Sequence, residues 1–219
     1  MQVIDYNAIE KNTRYFKQKI GKAKLCAVLK NDAYGHGLVH VAPRIAELVD
    51  CFAVGSVDDA EQLQFLNRDT LVLLPQNKRN TERAIKNDFI LTVDSFETLG
   101  VVDEAARMLK LNPRVHIKFD SGMSRLGFTR DDVDELVEHL KRSQLRVEGV
   151  FSHFYGDTVA DCDRQFDYFV SCATRLEDAL NRSLTKHIAN SGATLLSPKY
   201  HLDMARVGLG LFGYGDKNL

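Results

Sequence analysis

A lysine that closes an apolar run can do more than reach for solvent. In this 219-residue chain Lys30 ends the run LCAVLK (25–30) and leads into NDAYGHG. An ammonium taken partly out of water loses its proton more easily, and the neutral amine can condense with a carbonyl to a Schiff base. Farther on, Asn190, Ser191 and Gly192 follow the run TKHIAN, and Gly208 and Gly210 flank Leu209 just after Arg206. A hydroxyl and glycine N–H groups on two neighbouring turns make a cup for an anion such as phosphate, with a helix start adding partial positive charge. Lys118, Asp120 and Arg125 in HIKFDSGMSRLGF, and His153 in GVFSHF, also stand at or just past the ends of apolar runs. Each feature has a plainer reading: a lysine stem over a rim, glycines that only punctuate turns, an Arg206 paired with Asp203.

The elements that must position these residues are strands alternating with helices. Eight apolar runs of strand length, at 25–30, 52–57, 70–75, 89–94, 115–120, 147–154, 185–190 and 203–213, are separated by stretches of helical period at 38–49, 58–67, 95–109, 130–141 and 161–180, with another at 5–19. This alternation predicts βαβ units around a parallel sheet. Eight of them predict a (β/α)8 TIM barrel, in which the C-terminal strand ends gather the chemistry at one mouth. The rival, a doubly wound open sheet, would show a G-x-G-x-x-G turn after its first strand, which AVLKNDAYGHG does not.

Composition narrows the partners. Twenty-nine basic residues against 30 acidic ones leave a formal charge of −1, which predicts no attraction to nucleic acid or to an anionic membrane. No apolar run approaches the ~18 residues of a membrane span, and the N-terminus lacks a signal-peptide core, so the expected location is cytoplasmic. Cys26, Cys51, Cys162 and Cys172 have no CxxC spacing and are expected to be reduced and buried. His36 and His40 are four apart but lack the glutamate of HExxH, so no metal site is predicted. Phe65, Phe89, Phe119, Phe151, Phe166 and Phe169 are expected in the core.

An imine-forming lysine, a phosphate cup and an arginine on the neighbouring strand together point to pyridoxal 5′-phosphate, whose ring nitrogen needs a partner. The segments AVLKNDAYGHG (27–37), HIKFDSGMSRLGF (116–128), GVFSHF (149–154), HIANSGA (187–193) and ARVGLGLFGYG (205–215) resemble the alanine racemase family in order and spacing over nearly the whole chain. The resemblance implies an isomerase that interconverts L- and D-alanine for peptidoglycan. It implies that Lys30 attaches the cofactor and acts as base on one substrate face, that Tyr34, Ser191, Gly208 and Leu209 hold the phosphate, with Asn190 beside them, and that His153 lies near the ring. Arg206 would bond the ring nitrogen, steadied by His187. Arg125 would contact the cofactor's phenolic oxygen and the substrate carboxylate, and Lys118 matches a lysine that some members carry as a carbamate.

In that family the barrel continues into a β-rich C-terminal domain, which supplies the second base, a tyrosine, to the partner subunit of a homodimer. The expectation is therefore a barrel domain over 1–215, with 216–219 starting the connection to an absent domain, and little turnover by the isolated chain. Tyr155, Tyr200 and Tyr214 match no second-base position. Two other readings stay open: a non-catalytic pyridoxal phosphate carrier, or a racemase or decarboxylase for another amino acid.

Overall fold

A computed structural model of the chain describes residues 3–156 and 158–214. These fall into two compact units, one built from 3–73 together with 189–214, the other from 74–156 and 158–188. In chain order, the first unit begins with α1 (Tyr6–Lys19), β1 (Lys24–Val28), α2 (Lys30–Gly35), α3 (Leu38–Ile45), β2 (Cys51–Val54), α4 (Val57–Leu63) and β3 (Thr70–Val72). The second unit contains α5 (Lys78–Lys86), β4 (Ile90–Val93), α6 (Phe96–Leu109), β5 (Arg114–Lys118), α7 (Val133–Arg142), β6 (Arg146–Phe151), α8 (Val159–Leu180) and β7 (Thr185–His187). The first unit then resumes with α9 (Ser191–Leu196), β8 (Met204–Val207) and a 3-10 turn, Leu209–Phe212.

All eight predicted strands are present. In the first unit β3, β2, β1 and β8 pair in that order, all parallel. In the second, β4 to β7 pair in sequence, also parallel, with one register shift between Val115 and His116. β2, β3, β4 and β8 are buried at every residue, whereas in β7 only His187 is. Residues on both faces of such strands meet core, so the runs read as continuously apolar. The helices start where short polar side chains cap them: Ser56 accepts from Asp59 N–H, and Ser95 and Thr98 form a reciprocal capping box on α6. On α1 the buried positions Ile9, Thr13 and Phe16 recur at helical spacing and face the core of the first unit.

Four expectations need correction. β1 ends at Val28, so Lys30 does not close the strand but opens the next element. The eighth strand is Met204–Val207, and Gly208, at φ −119° and ψ −89°, turns the chain into the 3-10 segment. Phe65 is 67% exposed, because it falls on a 3-10 turn after α4, whose inward positions Val57, Ala60 and Leu63 already fill the core. His36, expected as a solvated helix-start residue, is packed and hydrogen-bonded. All four cysteines are buried free thiols. The expected boundary at 215/216 lies outside the described residues.

Candidate active site

In the first unit the chain after Leu29 does something its residue types would not predict. Asn31, Asp32, Ala33 and Tyr34 all have φ between 52° and 55°, one turn of left-handed helix. For L-residues that conformation costs roughly 1–2 kcal/mol each, and Asn and Asp bear it best. Several bonds hold the turn. Ala33 N–H donates to Leu29 O at 3.1 Å, and Asp32 accepts twice, from Gly37 N–H on its carbonyl and from Leu38 N–H on its carboxylate at 2.6 Å. His36 Nδ1 lies 3.0 Å from Ala33 O and 3.2 Å from Tyr34 O, and the imidazole stacks on Phe212 with centroids 4.4 Å apart. Facing two carbonyls, Nδ1 must carry the proton.

This turn delivers two side chains. Lys30 is exposed, with Nζ 5.9 Å from the centroid of the Tyr34 ring. The amine is thus reachable by a carbonyl compound rather than partly buried as expected. Tyr34 is half-buried, and desolvation pushes its phenol above the ordinary value, so at neutral pH it remains a hydrogen-bond donor. Its hydroxyl lies against Gly208: a Cβ there would approach the oxygen to well under 3.0 Å, so the approach requires glycine.

Gly208 in turn meets Ser191. Ser191 Oγ accepts from Gly208 N–H at 3.1 Å and from Gly210 N–H at 3.0 Å. Gly210 also leaves room for Phe16 of α1, whose ring would lie 2.5 Å from an added Cβ. Asn190 is the cap of α9, its Oδ1 accepting from Ala193 N–H at 2.9 Å. The Ser191 hydroxyl, the two glycine N–H groups that donate to it and the Tyr34 phenol beside Gly208 thus form one cluster. Its donors suit a phosphate monoester, whose oxygens accept several hydrogen bonds at once.

On β8, Arg206 stands in register with Cys26 of β1, which is itself in register with Cys51 of β2. Arg206 is buried, and its N–H donates to Ala189 O at 3.0 Å. Desolvation pulls the guanidinium down to about 10, still protonated at neutral pH. It can therefore donate hydrogen bonds to a ring nitrogen but carries no acceptor atom.

The second unit holds the other predicted residues. His187 is fully buried, stacked on Phe151 at 4.9 Å, with Nε2 2.8 Å from Nδ1 of His116. Sequence reading missed His116. Its signal was spacing, since His116 and Lys118 alternate on one face of β5. Gly149 makes room for the His116 ring, which an added Cβ would meet at 2.7 Å. Lys118 is also buried and donates from Nζ to Leu126 O at 2.6 Å. Asp120 organises the following loop by accepting from Gly122, Ser124 and Arg125 N–H at 2.9–3.0 Å. Burial alone would raise its carboxyl, but these three donors and nearby Lys118 hold it below the ordinary value. The loop leaves the Arg125 side chain exposed, and His153 is half-buried two residues beyond β6.

The family profile described as "Alanine racemase, N-terminal domain" matches residues 4–216. The chain belongs to the alanine racemase family. Alanine racemase 1 of Oceanobacillus iheyensis is 35% identical over 96% of this chain, and the alanine racemase of Borreliella burgdorferi 30% identical over 97%. Among solved structures, the alanine racemase of D-cycloserine-producing Streptomyces lavendulae matches with TM-score 0.88 at 29% identity over 97% of the chain. That of Bacillus anthracis, solved with bound L-Ala-P, matches with TM-score 0.87 at 31% identity over 98%. The chain spans 57–59% of the length of these relatives. The fold class is accordingly the (β/α)8 TIM barrel of the alanine racemase N-terminal domain, and the doubly wound alternative is excluded.

Proposed function

We propose that this chain is the cofactor-binding barrel, over residues 1–215, of an alanine racemase, an isomerase that interconverts L- and D-alanine to supply peptidoglycan synthesis. The alanine racemase family is pyridoxal 5′-phosphate-dependent. When bound, that cofactor supplies a conjugated ring that draws electron density from the substrate's α-carbon. Lys30 Nζ attaches the cofactor and then serves as the base for the α-proton on one face. Tyr34 Oη, Ser191 Oγ and the N–H groups of Gly208 and Leu209 hold the phosphate, with Asn190 fixing the position of Ser191. Arg206, which keeps its proton at neutral pH, donates to the ring nitrogen without protonating it. It thereby limits electron withdrawal and favours return of the proton to the α-carbon over transamination. His187 steadies Arg206, His153 lies beside the ring, and Arg125 binds the substrate carboxylate. Lys118 provides charge behind the Arg125 loop.

Proton transfer on both faces needs a second group within hydrogen-bond reach of the α-carbon. In this reading that group is supplied by the part of the relatives' length that the chain does not span, in a homodimer of the full-length enzyme. The 219-residue chain then binds cofactor with little or no turnover. Cytoplasmic residence fits an enzyme of this kind, and no described helix is long and apolar enough to cross a membrane.

The observation that carries this reading is the cluster of Tyr34, Ser191, Gly208 and Gly210 in the same compact unit as Lys30 and Arg206. Titration with pyridoxal phosphate should give the visible band of a lysine-bound cofactor that disappears in Lys30→Ala. A band that persists unchanged in the variant defeats the assignment. Chiral analysis after incubation with L-alanine and larger L-amino acids separates racemase from carrier, once the chain is joined to a C-terminal domain.

A further inference from the structure

Three sulfur-bearing side chains meet in the first unit, toward the N-terminal ends of its parallel strands, whereas Lys30 follows the C-terminal end of β1. Cys26 of β1 and Cys51 of β2 are partners in register, so their side chains leave strands about 4.8 Å apart on the same face. Met204, the first residue of β8, pairs with Lys24 and therefore shares that face with Cys26, two residues on. Its thioether reaches across to β2, where Cys51 Sγ donates to Met204 Sδ at 3.4 Å. A hydrogen bond with Cys26, together with burial, pushes the Cys51 thiol well up, so both thiols keep company in one spot. Both cysteines are free; Cys26 is fully buried, Met204 nearly so, and Cys51 keeps 8% exposure. Sequence spacing hides the cluster, since Cys51 and Met204 are 153 positions apart.

Two thiols and a thioether are a donor set of one chemical class. Such soft sulfur ligands select Cu(I), while imidazole and carboxylate suit harder or borderline ions. Those harder ligands are not gathered here or elsewhere: among the described residues no group of three or more His, Cys, Asp or Glu side chains is placed to hold a metal. Three sulfurs around one ion with bonds of about 2.3 Å stand about 4 Å from one another. Cys51 and Met204 thus need to part by only about 0.6 Å to admit it. Two thiolates around a monovalent cation carry one negative charge. Arg206, in register with Cys26, and Lys24, on the same face of β1, set positive charge against it, opposing Asp69 and Asp50 near the Cys51 thiol.

We propose that Cys26, Cys51 and Met204 form a three-sulfur binding site for a single soft monovalent cation, Cu(I). Both thiols release their protons to solvent as two Cu–S bonds form, the Met204 thioether donates a lone pair, and copper stays at +1 throughout. The site does not rest on the cofactor reading and shares none of its residues.

The test is anaerobic titration of the cofactor-free 219-residue chain with Cu(I), using bicinchoninate as the competing chelator and X-ray absorption to count ligands. One copper per chain should be held against the competitor, with three sulfurs at about 2.3 Å. Met204→Leu keeps the volume and removes one donor, so it should weaken Cu(I) about tenfold and leave two sulfurs; Cys51→Ala should weaken it about a hundredfold or more. Cys162→Ala and Cys172→Ala, both on α8 of the other unit, should change nothing. Zn(II) in about tenfold excess should not displace the copper. Independently of any variant, Cu(I) should shift the methyl resonance of Met204 in the native chain. No tight copper, fewer than three sulfurs in the native chain, an unshifted Met204 methyl, displacement by Zn(II), or undiminished affinity in Met204→Leu or Cys51→Ala would overturn the proposal.

Discussion

Ser191→Ala isolates the phosphate cup. In the cofactor-free chain Ser191 Oγ is the acceptor for two backbone donors, Gly208 N–H at 3.1 Å and Gly210 N–H at 3.0 Å, both partly buried. Removing the oxygen leaves two N–H groups with no partner. At a net of roughly 0.5–1.5 kcal/mol per bond the variant should lose about 2 kcal/mol. For a chain of this size each kcal/mol moves the melting temperature by roughly 2–4 °C, so a fall of about 4–8 °C is expected by calorimetry. A phosphate ligand changes the comparison, because its oxygens supply the acceptors that the variant lacks. Pyridoxal phosphate at about 100 times its Kd adds about 2.7 kcal/mol to either protein. Loaded to that level the variant should therefore regain the melting temperature of the cofactor-free native chain, while the loaded native chain stays about 2 kcal/mol above it; the lost hydroxyl weakens its Kd, so the variant needs more ligand to reach that level. A Ser191→Ala chain that melts within 1 °C of the native one, or that gains nothing from the ligand, would show that the hydroxyl does not organise this turn.

Further outcomes follow from individual contacts. Gly208→Ala forces a methyl onto the Tyr34 hydroxyl; overpacking of this kind costs about 1–3 kcal/mol, and pyridoxal phosphate should bind more weakly by fluorescence titration. Ala33→Val places a β-branched residue at φ 53° in a buried position, and should lower the melting temperature more than any other substitution in the left-handed turn. Gly149→Ala drives a Cβ into the His116 ring and should destabilise the chain by about 1–3 kcal/mol, with the imidazole resonances of His116 and His187 both displaced. Asp120 has a folded-state pKa below its ordinary 3.8, so it stabilises the fold above that value and loses the contribution as pH falls through the lower one. Native and Asp120→Asn chains should differ in stability at pH 7 and converge in acid; a constant difference across that window would contradict the assignment.

The strands were readable from the residues because parallel strands buried on both faces, such as Cys51–Val54, leave an unbroken apolar run. The position of Lys30 was readable only approximately. Nothing in KNDAY announces a left-handed turn, since Ala and Tyr are not residues that choose it; the bonds from Gly37 and Leu38 to Asp32 and the stacking of His36 on Phe212 hold it. That turn exposes an amine expected to be half-buried. That Ser191, Gly208 and Gly210 come together was legible because they stand on the turns after two adjacent apolar runs. Phe65 misled because apolarity alone does not say which side of a terminated helix a residue takes.

The central claim is that the exposed amine of Lys30 is the cofactor's point of attachment. Loading the chain with pyridoxal phosphate, reducing it with borohydride and mapping the product by peptide mass spectrometry tests this directly. A single phosphopyridoxyl group on Lys30 is the predicted result. A label on Lys118, or one scattered over surface lysines, would contradict the account.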